Sequence, residues 1–526
     1  MVTLLLVAIT LVTRALGPTD LWDQTQPRTV AYTADILAIG GEAWILPRDA
    51  EGLGATKPPL YNWLAAPFVH LLGRDSEFAH KLPSMLGLIA LAALLVRIGE
   101  PIRLGAGWLA AIMCIASYPF FKLGTLARPD MLLVLWLTLA WWAGTRALLD
   151  AATERGADQP PHANSSSARS RSVLWAFLFW SATVAAAWTK GPVAFLPLIH
   201  VGLVAWLVLG RPATLRALRL ACFGLPALAI MLAWPLGVWI LDPAHLSEQL
   251  LDKELLGRVA GTGPEGGGGG LLGIVLGLPK MPGYFTVRFA PWSIVALIAI
   301  WFAWPRAATR VSSSGPGSSD GLRLLASGAV WVVLVLLVFS ASSGKRADYV
   351  APAFPLAALL ASWWLLTQGP ERGRHRQVWL VVASAALIVG ALGVLNSTHS
   401  PLRGSGAEAM DELVARARAE ARASDTPVRA IRMIAEQLPA LVGSGRPSDS
   451  RQDRVTAELE AGAGLLLFYD QRLLDPPLRD ALEQARRERR LETLWSVSIA
   501  TKPDEELPKR EILCVRVRQR DALNSP

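Results

Sequence analysis

The chain has 526 residues, of which 52% are hydrophobic and 18% are charged, and it contains 21 tryptophans. This composition is too apolar for an ordinary soluble protein and is typical of a polytopic membrane protein. The formal net charge of +9 comes from arginines clustered between apolar segments, as the positive-inside rule predicts for cytoplasmic loops, so we expect no nucleic-acid partner.

Eleven segments are apolar enough to be membrane spans, since a spanning helix needs roughly 20 apolar residues. The first lacks a charged n-region and a small-residue cleavage site, so we expect a retained helix rather than a signal peptide. With the amino terminus inside, the loops 18–78 and 242–282 and the carboxy-terminal tail fall outside. The predicted spans are residues 2–17, 79–98, 104–121, 129–149, 173–189, 191–209, 220–241, 283–304, 322–341, 350–367 and 377–395.

The first outer loop carries charged residues close to the membrane. Asp23 follows the first span, beside Trp22, an aromatic residue typical of the membrane interface; its carboxylate could also simply be solvated. In KPPLYNWL, residues 57–64, Lys57 precedes two prolines that restrict the backbone to an extended approach. The residues after them predict an apolar helix at the interface. This arrangement places Lys57 at the height of a lipid headgroup.

Three further outer turns carry charged or aromatic residues next to predicted spans. Any one of these charges could be a snorkelling or topogenic charge. Several cations and one or two carboxylates on one face, however, suit a lipid phosphate together with a reacting hydroxyl or amine. The residues are Arg128 and Asp130 before the fourth span, Lys190 between the fifth and sixth, and Lys345, Arg346 and Tyr349 before the tenth.

Two inner segments, residues 157–171 and 310–321, have the Ser, Gly and Pro content of flexible connectors. The outer run GTGPEGGGGG, residues 261–270, is open to two interpretations, a mobile flap over a site or a linker. The three cysteines, Cys114, Cys222 and Cys514, are too far apart in the sequence to indicate a disulfide framework or a zinc cluster.

Beyond residue 395 the apolar runs stop, and the periodicity predicts a small α/β domain over residues 396–526. Residues 406–424 and 476–492 have the spacing of amphipathic helices, and residues 463–470 and 510–518 have the pattern of strands. The odd number of spans places this domain outside. Asp470 is interpreted as a strand-end cap rather than a catalytic residue.

The order of the motifs resembles that of the C-type membrane glycosyltransferases (GT-C), specifically the relatives of protein O-mannosyltransferase and of the aminoarabinose transferase that modifies lipid A. The resemblance covers residues 1–395. It rests on Asp23 in the first outer loop, KPPLYNWL, RPD at residues 128–130, WTKGP at residues 188–192 and KRADYVAP at residues 345–352.

The resemblance implies the GT-C fold, with about 11 transmembrane helices in residues 1–395, in the inner (cytoplasmic) membrane. It also implies an activity: a sugar is moved from a polyprenyl-phosphate-linked donor to a lipid, glycan or protein acceptor on the outer face of that membrane. Lipid A modification and protein glycosylation are both reactions of this kind. The expected partners are the donor, the acceptor and membrane lipids.

Carried over residue by residue, the resemblance makes Asp23 the catalytic carboxylate that activates the acceptor, and Asp130 a second carboxylate. The residues that it assigns to the donor phosphate are Lys57, assisted by Lys345 or Arg346 with Tyr349 nearby, and also Lys190 and Arg288, the latter in YFTVRFAPW. The acceptor or support residues are Arg28, Gln24, Glu42 and Arg128.

The sequence departs from the family pattern in the first outer loop, because Gln24 stands where the family usually has Glu, and Pro27 precedes Arg28. No His cluster or Asp-rich motif indicates a metal site, and no cofactor is predicted with certainty. Glu42, Asp23 and Asp130 could nevertheless assemble a site for a divalent metal ion.

Two other classes remain open: a transporter or flippase of a polyprenyl-linked sugar, and a non-catalytic membrane scaffold whose outer domain binds a partner. Against the transporter, the sequence shows no inverted repeat and, in our interpretation, no ionisable residue well inside a span. A scaffold would leave Asp23 and the outer lysines without a role.

Overall fold

Apolar helices form most of the chain up to residue 397. The computed structural model describes residues 2–15, 26–49, 52–74, 76–154, 165–256, 277–309, 316–342, 345–368, 371–397, 407–423, 426–431, 450–500 and 509–520. Asp23, Gln24 and the GTGPEGGGGG run lie outside the described residues. The helices of this part are α1 (Val2–Ala15), α2 (Gln26–Ile39), α3 (Leu60–Leu72), α4 (Glu77–Gly99), α5 (Ala106–Ile115), α6 (Tyr118–Leu123), α7 (Asp130–Glu154), α8 (Ser165–Lys190), α9 (Leu196–Leu203), α10 (Leu225–Leu241), α11 (Lys280–Arg288), α12 (Trp292–Thr309), α13 (Pro316–Ala341), α14 (Phe354–Thr367) and α15 (Glu371–Ser397).

Shorter helical segments continue several of these helices. They are 3-10 turns at Gly41–Trp44, Gly191–Phe195, Pro212–Leu218 and Ala347–Ala353, and π-helical segments at Val204–Val208, Leu220–Gly224 and His245–Leu256. Two of the 3-10 turns lie at residues predicted for the site: Gly191–Phe195 directly follows Lys190, and Ala347–Ala353 contains Tyr349.

The described residues contain seven helical segments that are long and apolar enough to cross a membrane, or up to eight if one bent pair is a single span. The protein is therefore a multi-pass membrane protein. The seven segments are Glu77–Gly99, Asp130–Thr153, Ser170–Val208, Leu220–Leu241, Asp320–Ala341, Ala347–Thr367 and Gly373–Asn396. Helix α1, with 14 residues, and α5, with 10 residues, are shorter than this, so the number of about eleven spans stays a prediction.

The spans that differ most from expectation contain proline. The predicted span 283–304 is broken into α11 and α12, whose axes differ by 117°, because Pro291 has no N–H to continue a helical hydrogen-bond ladder. Residues 104–121 divide into α5 and α6, and Pro119 lies in the first turn of α6. The run Ser170–Val208 has 39 residues, about twice the length that a bilayer requires. It leaves helical geometry at Lys190, as predicted for a turn there, and Gly191 has φ 69°.

Close backbone contact joins the end of α4 to the start of α5. A Cβ atom on Gly99 of α4 would lie 2.4 Å from the backbone nitrogen of Gly107 in α5, so neither position accepts a side chain without a shift of the backbone. Small residues at helix crossings allow such approaches in membrane proteins. The main hydrophobic core runs through α4, α5, α7, α13 and α14.

One interpretation of the sequence is wrong, because His200 lies fully buried in α9, well inside an apolar run. Its Nε2 atom lies 3.0 Å from the carbonyl oxygen of Ser327, and its ring meets that of Trp331 edge-on at 5.3 Å. These contacts satisfy one ring nitrogen inside the bundle, so His200 alone does not indicate a transport site.

The predicted connectors are partly helical. Helix α8 begins at Ser165 and α13 begins at Pro316, inside the two segments predicted to be flexible. Serine at a helix start and proline in a first turn are both favoured there, so composition alone overestimated the length of these loops.

The carboxy-terminal residues form a four-stranded sheet in the order β1-β2-β4-β3. Strands β1 and β2 are parallel, and β4 pairs antiparallel with both β2 and β3. The helix predicted over 476–492 ends earlier, at Arg487, because Arg489 has φ 56° and a further strand begins at Leu491. The elements are α16 (Ala407–Ala423), β1 (Val428–Ala430), α17 (Gln452–Glu460), β2 (Leu465–Tyr469), α18 (Pro476–Arg487), β3 (Leu491–Ala500) and β4 (Lys509–Val517).

This α/β unit packs against α2 and the turn before α7. Leu413 of α16 and Phe468 of β2 share a buried apolar cluster with Val30 of α2 and with Ala127. Asp470 accepts a hydrogen bond from the backbone N–H of Arg472 and so occupies the capping position that the sequence predicts. The contact at Ala127 places the unit beside the turn that leads into α7.

Candidate active site

Asp130 is a buried carboxylate held between two cations. It begins α7, after Pro129, in a first turn where proline and acidic residues are both favoured. Its Oδ2 atom lies 3.0 Å from an Nη atom of Arg128, and its Oδ1 atom accepts a hydrogen bond from Nζ of Lys190 at the end of α8. Both Asp130 and Arg128 are only 5% exposed.

The second carboxylate of this site, Asp348, was not predicted. It lies in the 3-10 turn Ala347–Ala353, 3.4 Å from Nη1 of Arg128 and 3.6 Å from Nη1 of Arg288. The five side chains Lys190, Asp130, Arg128, Asp348 and Arg288 therefore form one continuous series of contacts, which we call the ion-pair chain. Three cations and two carboxylates leave it with a net charge of +1.

Aromatic rings contact both ends of the ion-pair chain. Lys190 Nζ lies 5.3 Å from the ring centroid of Tyr349, and the Arg288 guanidinium lies 5.3 Å from that of Tyr118. Cations at this distance from an aromatic face are attracted by its quadrupole. Tyr349 is itself held by Phe339, with the ring centroids 5.2 Å apart.

A cavity of about 420 Å³ opens beside the ion-pair chain. At one end it is lined by Lys57, Asp130, Lys190, Asp348 and Tyr349. Its remaining wall is mostly apolar and includes Leu228, Leu232, Trp234, Leu250 and Phe339. The cavity thus combines a charged end with a long apolar surface.

The backbone before Lys57 is attached to the end of α10. Arg48 and Gly54 form an isolated antiparallel bridge, and Arg48 lies 3.3 Å from the carboxylate of Asp242. Nε2 of His245 lies 3.2 Å from the carbonyl oxygen of Ala55. The backbone N–H of His245 donates a hydrogen bond to Asp242 Oδ1, and this bond, with help from Arg48, lowers the pKa of Asp242 below its usual range. These contacts fix the chain two residues before Lys57.

The structure brings together much of the predicted site. Lys57, Asp130, Lys190 and Tyr349 line one cavity, and Arg128 and Arg288 join it through Asp348. No local pattern indicated Asp348, although it stands inside the KRADYVAP motif. Its partner Arg128 is 220 positions away in the sequence.

Four other predicted residues are not members of the ion-pair chain. Lys345 donates to the carbonyl oxygen of Ser342 at 2.8 Å, and Arg346 is exposed before the 3-10 turn. The side chain of Arg28 is 58% exposed and lies 3.8 Å from Asp49. Glu42 is exposed in the 3-10 turn Gly41–Trp44.

The described part of the chain contains no group of three His, Cys, Asp or Glu side chains placed to share a metal ion. The predicted ligand set of Glu42, Asp23 and Asp130 includes Asp23, which lies outside that part, so this set stays untested.

Residues 56–155 match the family described as "Dolichyl-phosphate-mannose-protein mannosyltransferase", and this range includes Lys57, Arg128 and Asp130. Over 354 residues the chain is 25% identical to the "Undecaprenyl phosphate-alpha-4-amino-4-deoxy-L-arabinose arabinosyl transferase" of Edwardsiella ictaluri, an alignment that covers 65% of this chain and 55% of the relative. The chain thus spans little more than half the length of that relative.

Solved structures share the fold over more of the chain. The crystal structure of ArnT from Cupriavidus metallidurans bound to undecaprenyl phosphate has a TM-score of 0.66 at 17% identity, covering 98% of this chain and 96% of that one. The oligosaccharyltransferase of Archaeoglobus fulgidus has a TM-score of 0.52 at 12% identity, covering 89% and 69%. The predicted fold and resemblance are confirmed: the chain has the GT-C fold, and its sequence is similar to the mannosyltransferase family over residues 56–155 and to an aminoarabinose transferase over 354 residues.

Proposed function

We propose that the chain is a membrane glycosyltransferase that moves a sugar from a polyprenyl-phosphate-linked donor to a lipid, glycan or protein acceptor. The observation that carries this proposal is the cavity, whose charged end and apolar wall match an anionic headgroup on a hydrocarbon chain. The positive-inside rule favours an amino terminus on the cytoplasmic side. In this orientation the site and the carboxy-terminal α/β domain, residues 396–526, both lie on the outer face of the cytoplasmic membrane.

The charges at the cavity favour a phosphate over a neutral headgroup. Lys57 adds one positive charge to the net +1 of the ion-pair chain, and both Lys57 and Lys190 line the charged end. Charge-assisted hydrogen bonds to phosphate oxygens are shorter and stronger than neutral ones. The apolar wall from α10 is suited to the prenyl chain. Two relatives support this assignment, since the Edwardsiella transferase is named for undecaprenyl phosphate and the Cupriavidus ArnT was crystallised with that lipid bound.

In the proposed reaction, a hydroxyl or amine of the acceptor attacks the anomeric carbon of the donor sugar. Asp23 accepts the proton of the attacking group, the bond between the sugar and the phosphate oxygen breaks, and the polyprenyl phosphate leaves with the electron pair. Lys57 and the cations of the ion-pair chain stabilise the charge that develops on the phosphate. Single donors of this kind are worth about 10²- to 10³-fold in rate.

Asp130 is suited to a positioning role in this reaction. A carboxylate that already pairs with Arg128 and Lys190 is a weak proton acceptor, because protonation would remove the counter-ion of Lys190 and one of the two counter-ions of Arg128. Its assignment as a catalytic carboxylate stays a prediction, and the ion pairs favour the view that it fixes the two cations. Lys345, Arg346, Arg28, Gln24 and Glu42 remain predicted support residues.

The test is transfer of radiolabelled sugar from polyprenyl-phosphate donors by the purified protein in lipid nanodiscs, with a membrane extract of its host as acceptor. We expect label in the acceptor fraction. A transporter would instead move donor across the bilayer of proteoliposomes without transfer, and a scaffold would do neither, so either result would refute the proposal.

Lys57→Ala is expected to weaken binding of undecaprenyl phosphate about 10- to 100-fold, because a hydrogen bond to a charged group contributes about 1.5–3 kcal/mol and 1.4 kcal/mol is a factor of ten. Binding of the uncharged alcohol undecaprenol should not change. Both affinities can be measured by titration of protein in nanodiscs. Lys280→Ala, at the exposed start of α11, is the matched control, and equal affinity for the phosphate in both variants would contradict the role of Lys57.

A further inference from the structure

We infer that Tyr61 and Ser84 are positioning residues whose hydroxyl groups fix the Lys57 segment against the turn that carries Arg128 and Asp130. Lys57 and Asp130 line one cavity from different parts of the chain, and Arg128 is held beside it by its ion pair with Asp130. The spacing of the two segments must therefore be set by contacts between them. This inference rests on the proposed function, since the spacing matters only if the cations bind one phosphate.

The two hydroxyls form a buried hydrogen-bond network between α3, α4 and the turn. Ser84 Oγ in α4 lies 2.6 Å from the carbonyl oxygen of Leu126 and 3.0 Å from that of Arg128. Tyr61 Oη in α3 lies 2.9 Å from the carbonyl oxygen of His80, 3.2 Å from Ser84 Oγ and 3.4 Å from the Leu126 carbonyl. Tyr61 is 2% exposed and Ser84 is fully buried.

Burial makes these contacts decisive for the conformation of the turn. The carbonyl of Leu126 also accepts a hydrogen bond from the backbone N–H of Arg128. A buried carbonyl that loses a hydrogen-bond donor carries a desolvation cost, so the hydroxyls favour the conformation in which the carbonyls of Leu126 and Arg128 point towards α4. Desolvation also raises the pKa of the Tyr61 phenol well above its usual value, and the phenol therefore remains a hydrogen-bond donor.

The network also connects to Lys57 through a short, stiff piece of chain. Tyr61 follows Lys57 after only three residues, two of which are Pro58 and Pro59, and proline fixes φ. The position of the Tyr61 ring in its buried site therefore limits where Lys57 can lie. Lys57 lines the cavity that Asp130 also lines.

The opposite side of the same turn is fixed by α2. Gln26 is fully buried, and its Oε1 atom accepts a hydrogen bond of 2.8 Å from the backbone N–H of Ala127. Asn62, next to Tyr61, donates to the carbonyl oxygen of Thr29 at 2.8 Å and lies 2.9 Å from Thr33 Oγ1. The turn thus has fixed partners on both sides, and Tyr61 and Ser84 form the side that leads to Lys57.

The test compares the affinities of the nanodisc-embedded protein for undecaprenyl phosphate and for undecaprenol. In Tyr61→Phe and Ser84→Ala we expect the affinity for the phosphate to fall about three- to tenfold, with unchanged affinity for the alcohol. Ser362→Ala is the matched control, because Ser362 is fully buried and its hydroxyl bonds to Leu359 of its own helix, α14.

A double-mutant cycle with Arg128→Lys separates positioning from general structural support. If Tyr61 acts through Arg128, Tyr61→Phe lowers the affinity for undecaprenyl phosphate less in the Arg128→Lys background than in the wild type. The inference is overturned if the affinities for undecaprenyl phosphate and undecaprenol fall equally. It is also overturned if the effects of Tyr61→Phe and Arg128→Lys on the affinity for the phosphate are fully additive. If the wild type itself does not prefer the phosphate to the alcohol, the proposed function fails, and this inference with it.

Discussion

Asp23→Asn is expected to lower the rate of sugar transfer by about 10²- to 10⁴-fold, the range of a single general base. The amide has nearly the same shape as the carboxylate but cannot accept the proton of the attacking hydroxyl or amine. The affinity for undecaprenyl phosphate should stay near that of the wild type, because the cavity supplies its contacts through Lys57 and the ion-pair chain. Turnover under donor saturation and the titration of undecaprenyl phosphate measure the two quantities separately.

Asp20→Asn is the control for this experiment, since it removes the same charge from the same loop only three positions earlier. It should transfer sugar at the wild-type rate. Full activity in Asp23→Asn would remove Asp23 from the chemical step. Equal losses of transfer in both variants would instead indicate that negative charge in the loop acts generally, by attracting cations or by aiding insertion of the protein into the membrane.

Three of the predicted charged residues line the cavity, Lys57, Asp130 and Lys190, and they share one property: each was predicted in a loop next to an apolar run. Hydropathy places such loops at the membrane surface, and the order of the runs places Lys57, Asp130 and Lys190 at the same end of the bundle. No knowledge of helix packing is required for this step. The sequence therefore indicated that Lys57, Asp130 and Lys190 lie at one end of the bundle, although it predicted neither Asp348 nor the atoms that pair.

Asp348 shows where such reasoning stops. In KRADYVAP four neighbouring residues carry charge or a phenol, and the sequence alone favoured Lys345 and Arg346 as contacts. The chain here forms a 3-10 turn with three residues per turn, so adjacent side chains point in different directions. The positions of Arg128, in the turn before α7, and of Arg288, at the end of α11, make Asp348 the residue that pairs.

The broken span at Pro291 has a similar explanation. Hydropathy averages over a window and does not register a single missing N–H, so residues 283–304 predicted one continuous helix. The bend matters for the site, because Arg288 is the last residue of α11 and lies at the corner between the two helices. A straight helix would have no such corner there.

Asp130→Asn is expected to cost more stability than the simultaneous removal of Asp130 and Lys190. Breaking a buried ion pair leaves an uncompensated buried charge and typically costs about 3–5 kcal/mol, whereas replacing both partners by neutral groups is often close to neutral. The side chain of Lys190 is only 12% exposed, and Arg128 retains Asp348 as a partner. Asp130→Asn/Lys190→Met should therefore regain at least half of the thermal stability that Asp130→Asn loses.

Sugar transfer should not recover with stability in the double variant, because Lys190 lines the charged end of the cavity and is itself proposed to contact the phosphate. Glu458→Gln provides the comparison: it breaks the ion pair of Arg429 in the carboxy-terminal unit, and transfer measured well below its melting temperature should match the wild type. If the double variant melts no higher than Asp130→Asn, the Lys190 pair is not what stabilises the turn. If it regains transfer as well, Lys190 is only a counter-ion for Asp130, and the phosphate is held by Lys57 and the arginines.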